Sequence, residues 1–387
     1  MDTSFERVAF CTLNRIFGFS PGIAHAMIDT LGSASAVFSL DREELRALLG
    51  PGSKYFPQLS ADALEQSRRE LAWLAAEGYS LVTLADEAYP KLLRACEDAP
   101  LCLYLRSGTP PEKLFGGRPA VAVVGTRDVS PYGRDWCGRL VEALSRTPDK
   151  PLIVSGLAIG VDITAHLAAL EYGLPTLAVM ATGIEGVYPA RHTRIAARIA
   201  QTPGCALVTD YPPGTAPLAI HFLRRNRIIA GLSRATLLVE SRCKGGGMMT
   251  ARLAFSYDRD VFALPGRADD LRSGGCLQLI REKVAEAVCD EDSFIAALGF
   301  GRADRQSVPG LRAELEARFG HTLPAGEFAA LLSVAEAIHA RRGITPEEIC
   351  GAAGLDFPTV SRSLLLLESE SLVTTDLLQR YSIRRRR

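Results

Sequence analysis

The stretch that decides the fold runs from residue 120 to residue 162 and holds two short apolar segments, AVAVVGTR at 120–127 and LIVSGLAIGVD at 152–162. Short segments that are apolar at successive positions are typical of strands buried on both faces of a parallel sheet. Each segment ends in a polar turn that contains glycine, and a helical pattern follows each turn. We therefore predict two consecutive units of strand, turn and helix.

The same alternation continues along the chain in both directions. Alternating strands and helices favour an α/β fold with a Rossmann-like, doubly wound parallel sheet over residues 78–299. In such sheets ligands lie beyond the carboxyl ends of the strands, so the residues after each strand are candidate site residues. The predicted strands are 80–84, 101–105, 120–124, 152–154, 176–180, 206–209, 235–239 and 260–263, and the predicted helices are 132–145, 160–171, 191–201, 221–232 and 250–257.

Residues 1–77 show helical spacing only, and we predict a small helical domain similar to SAM or helix-hairpin-helix modules. Ser20 and Pro21 are predicted to start one helix, and Asp41 with Glu44 to form a capping box before another. The glycine turns at 18–20 and 50–52 either present backbone N–H groups to phosphate or only connect helices.

A polar linker is predicted at 300–311 because apolar periodicity stops there. Residues 312–387 then predict a winged-helix-like domain, with a helix-turn-helix outline, a capping box at Thr345 and Glu348, and a two-stranded wing at 372–383. The exposed positions of its second helix offer a single cation, Arg362. DNA reading and protein contact therefore stand as alternative roles for this domain.

The composition excludes several classes of protein. The chain has 387 residues with 47% hydrophobic and 23% charged, as in folded globular proteins of two or three domains. It contains no apolar run near the roughly 20 residues of a membrane span, and Asp2 and Glu6 are unlike a signal peptide, so we expect a cytoplasmic protein. The nine cysteines form no CxxC pair, and neither disulfides nor a metal site is expected.

The charge is balanced overall but not locally. Lys+Arg and Asp+Glu both total 44, so net charge says nothing about nucleic acid. Between residues 224 and 244, however, six cations face one anion, Glu240, and the chain ends in four arginines at 384–387. Binding of a polyanion is therefore expected to be local.

Two turns after predicted strands carry the first candidate site residues. Gly125, Thr126 and Arg127 follow one strand, where glycine permits close backbone approach and arginine supplies a forked phosphate donor. Ser155 and Gly156 follow the next strand. The alternative for both turns is a plain strand-to-helix connection.

Asp162 and His166 lie four residues apart on the helix that follows Ser155 and Gly156, and so share a face of that helix. They are either structural, with Asp162 capping the helix, or an acid–base pair.

Two further segments complete the candidate site. Arg225, Asn226 and Arg227 form a cationic cluster that suits a polyanion or else holds the domain together through buried contacts. The segment from Lys244 through Gly245, Gly246 and Gly247 to Thr250 is a triple-glycine loop before a helix, a geometry suited to phosphate.

Together these segments resemble the DNA-processing protein A family, called DprA or Smf. The order and spacing of the motifs match the family over roughly residues 79–290, while the two flanking domains are similar to its accessory domains more loosely. The matching residues are 123–127, 155–162 with His166, Tyr188-Pro189, 225–233, Glu240 with Gly246 and Thr250, and Pro265-Gly266.

The resemblance implies a DNA-binding protein without catalytic turnover that takes up incoming single-stranded DNA in natural transformation, protects it and loads the RecA recombinase. It also implies a homodimer and no cofactor. Arg127, the Ser155-Gly156 turn, Arg225, Arg227 and the loop from Lys244 to Gly247 would line the DNA site. The sequence departs from the family's usual Ser-Gly-Ser loop at Gly245, Gly246 and Gly247, which removes two hydroxyl donors.

Two other functions remain as alternatives. A nucleotide or nucleoside phosphate enzyme could use the same strand-end loops, with Asp162, His166 and Glu240 as acid–base groups. A structural or regulatory adaptor would depend on the carboxyl-terminal domain. Tyr188, Tyr211 and Phe222 are candidate platforms for base stacking, or else core residues.

Overall fold

The computed structural model describes residues 3–50, 52–300, 315–316, 318–340, 344–370, 372–375 and 379–383. Most of the predicted linker 300–311 and the basic residues 384–387 lie outside the described residues. The chain divides into two compact units, residues 1–301 and 302–387.

The first unit begins with helices and continues as alternating strands and helices. Its first helices are α1 (Thr3–Phe17), α2 (Pro21–Leu31), α3 (Arg42–Leu49) and α4 (Ala61–Ala76). The strands are β1 (Ser80–Thr83), β2 (Cys102–Arg106), β3 (Ala120–Val124), β4 (Leu152–Ser155), β5 (Thr176–Val179), β6 (Ala206–Thr209), β7 (Ala235–Leu238), β8 (Asp260–Ala263) and β9 (Glu286–Ala287). The helices among and after them are α5 (Lys91–Arg94), α6 (Pro111–Phe115), α7 (Pro131–Ser145), α8 (Val161–Glu171), α9 (Thr193–Gln201), α10 (Ala219–Leu232), α11 (Gly246–Ser256), α12 (Gly274–Arg281) and α13 (Glu291–Ala297).

The strands form one sheet in the order β1-β2-β6-β5-β4-β3-β7-β8-β9. The run from β6 to β9 is parallel, and β1 and β2 add an antiparallel edge. From β3 the chain builds outward through β4, β5 and β6, then returns to build β7, β8 and β9 on the other side of β3. The predicted Rossmann-like, doubly wound sheet is thus confirmed, and its switch point lies between β3 and β7, where ligands bind in such folds.

Alternation along β3 explains why helices cover both faces of the sheet. Ala122 and Val124 pack in one cluster with α10, α11 and α12, while Val121 and Val123 pack in another with α7, α8 and α13. Successive side chains of a strand point to opposite faces. A strand that is apolar at each position therefore needs two helical layers, and the intervening segments of the chain supply them.

The helices α1–α4 belong to the same compact unit as the sheet. Phe10 and Leu13 of α1 share a buried cluster with Tyr104 of β2 and Leu207 of β6. The predicted boundary at residue 77 therefore separates two types of secondary structure within one unit.

The starts of two of these helices test the capping predictions. The capping box of α3 is present, with Asp41 Oδ1 accepting from Glu44 N at 2.9 Å and Glu44 Oε2 accepting from Asp41 N at 2.8 Å. Ser20 does occupy the N-cap position of α2, but its side chain makes no capping bond. Its Oγ instead accepts a hydrogen bond from the Tyr55 hydroxyl at 3.2 Å.

The second unit contains α14 (Ala325–Ala340), α15 (Pro346–Ala353), α16 (Phe357–Ser369), β10 (Val373–Thr375) and β11 (Tyr381–Ile383). Thr345 and Glu348 form the predicted capping box, and β10 pairs with β11 in antiparallel register. Arg362 on α16 forms an ion pair with Glu327 at 3.4 Å. The assignment of this unit as a winged-helix-like domain stays a prediction.

None of the helices in the described part of the chain combines the length and the apolar character that crossing a membrane requires.

A candidate nucleic-acid interface at the switch point of the sheet

The turn after β3 is built by close backbone packing. Thr126 N donates to Glu240 O at 2.7 Å, and Thr126 O accepts from Val161 N at 3.1 Å. A Cβ at Gly125 would lie 2.6 Å from Val161 Cγ2 and 2.8 Å from Glu240 O, so a larger residue does not fit without movement. These contacts hold the turn after β3 in place, with the end of β7 on one side and the start of α8 on the other. The Arg127 side chain remains exposed.

The loop from Ser155 to Gly160 packs directly on this turn. Ser155 Oγ donates to Val123 O at 2.6 Å, so its hydroxyl is used within the sheet. Gly160 has a φ of 83°, and its Cα faces the carbonyl of Thr126 so closely that a Cβ would collide with it. The left-handed conformation and the lack of space together require glycine there. The first two predicted segments are therefore in contact.

The triple-glycine segment meets the same turn from the other side. A Cβ at Gly247 would lie 3.0 Å from Gly125 Cα, which shows how closely the first turn of α11 approaches β3. Lys244 and Gly246 are exposed. Thr250 is buried and its Oγ1 donates to Gly246 O at 3.4 Å, so this hydroxyl serves the helix itself.

Glu240 connects these loops to the start of α7. Its carboxylate accepts from Ser130 N at 2.9 Å and from Ser130 Oγ at 2.5 Å. Ser130 Oγ in turn accepts from Gly133 N at 3.0 Å as the N-cap of α7. Glu240 is buried, and its role in the structure is to hold α7 against the end of β7.

The cationic cluster on α10 lies inside the protein. Arg225 Nη1 donates to Gly156 O at 2.6 Å and also to Val179 O. Arg227 forms an ion pair with Asp210 at 2.5 Å and donates to Asp98 O. Asn226 is buried between them. The placement of the two arginines agrees with the structural alternative, because their guanidinium groups bind the protein's own carbonyls and carboxylate.

An aromatic pair borders the exposed cation. The Arg127 Cζ atom lies 5.5 Å from the centre of the Phe222 ring, and the Phe222 and Tyr188 rings are 5.3 Å apart. Tyr188 is 48% exposed and Phe222 is partly buried, whereas Tyr211 is buried and donates its hydroxyl to His221 O at 3.3 Å. Of the three predicted platforms, two therefore reach the surface. Nothing in the sequence indicated that Arg127 would contact Phe222.

The acid–base candidates are buried beneath these loops. Burial raises the pKa of the Asp162 carboxyl, an effect opposed by Arg225 and by backbone N–H donors such as Ala158. Burial is the largest of the causes that lower the pKa of His166 to about 3, and the charges of Arg225 and His192 lower it further. His166 Nδ1 lies 2.7 Å from Thr176 Oγ1. These side chains are withdrawn from solvent. Asp162 accepts from Ala158 N in the loop after β4, and His166 ties α8 to the first residue of β5.

The buried histidine predicts a pH dependence of stability. In the unfolded chain His166 takes up a proton below about pH 6.5. In the folded protein it takes up a proton only below about pH 3, because its pKa is lowered to about 3. The contribution of the neutral His166 side chain to the free energy of unfolding is therefore fully present above about pH 6.5 and is lost as the pH falls toward 3. Between about pH 7 and pH 5 we expect the free energy of unfolding to drop by about 2 kcal/mol more in the wild type than in His166→Asn, as measured by urea titration. Parallel pH curves for the two proteins would contradict this.

Comparison with known families gives a match over more than half of the chain. A family model described as "DNA recombination-mediator protein A" matches residues 80–299. These residues hold the sheet and every loop that borders the switch point.

Individual relatives extend the match. Protein Smf of Synechocystis is 32% identical over 322 residues, 78% of this chain and 80% of the relative. The solved structure of DNA processing protein A from Streptococcus pneumoniae superposes with a TM-score of 0.58 at 28% identity, covering 76% of this chain and 95% of that one. The structure of DNA processing protein A from Helicobacter pylori, solved for its single-stranded DNA binding mode, gives a TM-score of 0.50 at 30% identity over 57% of this chain and 95% of that one.

Proposed function

Because the chain belongs to the DNA recombination-mediator protein A family, we propose that it is a single-stranded DNA-binding recombination mediator. In this proposal single-stranded DNA lies across the carboxyl ends of β3 and β7, at the switch point of the sheet. The protein protects incoming DNA and loads the RecA recombinase onto it during natural transformation. The proposal includes a homodimer, which the same resemblance implies, and a cytoplasmic location, which is the expectation from the composition and from Asp2 and Glu6. The observation that carries the proposal is the pair of exposed cations, Arg127 and Lys244, on turns after adjacent strands.

The two cations are available to an external anion. Among the described residues neither forms an ion pair, and Arg127 instead contacts the Phe222 ring. Their turns touch through Gly125 and Gly247, so the two charges lie along one edge of the sheet. Cations on such an edge bind phosphates without reading sequence, as expected for a protein that accepts any incoming strand.

The aromatic pair supports a single strand over a duplex. Phe222 and Tyr188 lie beside Arg127, and unpaired bases stack on aromatic rings whatever their sequence. In a duplex the bases are already stacked on one another. The single-stranded DNA binding mode of the Helicobacter pylori protein is consistent with this preference.

The alternative of a nucleotide enzyme has weaker support. Asp162, His166 and Glu240 are buried, and each contacts the protein's own groups. A general acid or base must come within hydrogen-bond reach of the substrate, and none of the three lies at the surface. Release of free base from nucleoside monophosphates by the purified protein would favour the enzyme and count against the mediator.

The proposal is tested by fluorescence anisotropy with labelled single-stranded and duplex DNA over a series of salt concentrations. We expect tighter binding to the single strand and an affinity that falls linearly on a log–log plot, with a slope of about −0.7 per phosphate contacted. Absent binding, or a preference for duplex, would contradict the proposal. Deletion of the residues after Gly310 should leave this binding intact if it resides in the first unit.

A further inference from the structure

Exposed apolar side chains gather where α10 begins. Leu218, Ile220 and Leu223 are exposed at the start of this helix, and Phe19, in the turn between α1 and α2, is 56% exposed. The Phe19 ring lies 5.8 Å from the His221 ring of α10. Apolar groups exposed together in this way mark an interaction surface.

A cation is stacked on the exposed aromatic ring of this surface. The Arg224 Cζ atom lies 3.8 Å from the centre of the Phe19 ring, and Arg224 Nη2 donates to Gly18 O. Among the described residues Arg224 has no ion-pair partner. The surface therefore carries a cation beside an aromatic ring, which suits a polyanion with flat rings better than an apolar protein segment.

This second stack lies at the same edge of the sheet as the first. Asn14 Nδ2, just before the turn, donates at 2.9 Å to the carbonyl of Asp210, the residue that follows β6. The helix α10 then begins near this edge, with Phe222 directed toward Arg127 and Tyr188, and with His221 and Arg224 directed toward Phe19. The first turns of α10 thus lie between two stacks of a cation and an aromatic ring.

We propose that the same single strand continues from the Arg127 site across the start of α10 onto Phe19 and Arg224, so that the amino-terminal helices supply a second base-stacking station. The first station consists of Arg127, Phe222 and Tyr188, and the second consists of Phe19 and Arg224. This inference rests on the proposed function, because the second station extends the DNA site that begins at the first. The occupant is unpaired DNA, since the station continues a phosphate-binding edge and carries a cation without an ion-pair partner.

Oligonucleotides of different lengths distinguish binding at the first station alone from binding at both stations. The test compares the full-length wild type with Phe19→Ala on oligothymidylates of about 2 and about 20 nucleotides, one shorter and one longer than common single-strand site sizes. The short oligonucleotide should bind both proteins equally, because it is satisfied by the first station. The long one should bind Phe19→Ala about five- to tenfold more weakly, because base stacking on the ring is removed.

Two other variants serve as controls. Phe255→Ala removes a ring that is 47% exposed at the far end of α11, on the opposite edge of the sheet, and should leave both affinities unchanged. Phe19→Trp keeps an aromatic surface, should retain the wild-type affinity for the long strand, and should show quenching of tryptophan fluorescence with the long strand only.

Equal affinity of the wild type and Phe19→Ala for the long strand would overturn the inference and leave the surface to a protein partner. Equal losses on both lengths would also overturn it, because Phe19 would then support the first station. Failure of the proposed function would look different. In that case the wild type would bind neither oligonucleotide, and Arg127→Ala would change nothing.

Discussion

Replacement of Arg127 or Lys244 by alanine is expected to weaken binding of single-stranded DNA by about 1–3 kcal/mol each, or roughly five- to 150-fold in Kd. Both side chains are exposed on turns whose backbone is fixed by other residues. Under the proposed function their removal therefore takes away a phosphate ligand without disturbing the core. The double variant should also lower the magnitude of the salt slope by about 0.7 for each phosphate that is no longer bound.

The measurement is anisotropy at several salt concentrations, with Arg146→Ala as a matched control. Arg146 is an exposed arginine that caps the carboxyl end of α7, on the opposite edge of the sheet, and it pairs with Glu142. Exposed pairs of this kind contribute little to stability, so the control should match the wild type in both affinity and salt slope. Unchanged affinity of the double variant, with urea unfolding also unchanged, would contradict the proposed site.

The sheet could be predicted from the sequence because its strands are apolar at successive positions. The predicted strands at 120–124, 206–209 and 260–263 coincide with β3, β6 and β8. The order of the strands could not be predicted, since it depends on which distant segments pair. The switch point between β3 and β7 is formed by strands more than a hundred residues apart in sequence.

The candidate site was predictable at its turns but not at its helices. Gly125, Gly160 and Gly247 are required by close packing, and glycine after a strand signals such packing in a sequence. Arg224 stacks at the surface while its neighbour Arg225 is buried. Helical spacing places Arg225 on the apolar stripe of Ile228, Ile229 and Leu232. The partners of the two guanidinium groups depend on tertiary contacts, which the spacing does not give.

The buried ion pair of Arg227 leads to the largest expected effect on stability. Arg227→Met leaves the Asp210 carboxylate buried without its partner, a situation that costs about 3–5 kcal/mol. It also removes the donor to Asp98 O, which ties α10 to the segment before β2. We expect a loss of this size in the free energy of unfolding, measured by urea titration of the wild type and the variant.

A double variant distinguishes the ion pair from simple loss of packing. Replacing both partners, as Arg227→Met with Asp210→Leu, removes the unpaired charge as well as the pair, and apolar replacements of buried pairs are often close to neutral. The double variant should therefore be more stable than Arg227→Met alone. Equal or lower stability would show that the charge of Asp210 is not what makes Arg227 necessary.

The same variants decide between the two roles weighed for this cluster. If Arg227 only holds the fold, the folded fraction of Arg227→Met should bind single-stranded DNA within about twofold of the wild type, since a guanidinium that is buried beside Asp210 is out of reach of a phosphate at the surface. If Arg227 is a phosphate ligand, affinity and salt slope should fall as they do for Arg127→Ala. The first outcome would confine the binding cations to the exposed edge, and the second would extend the site beneath α10.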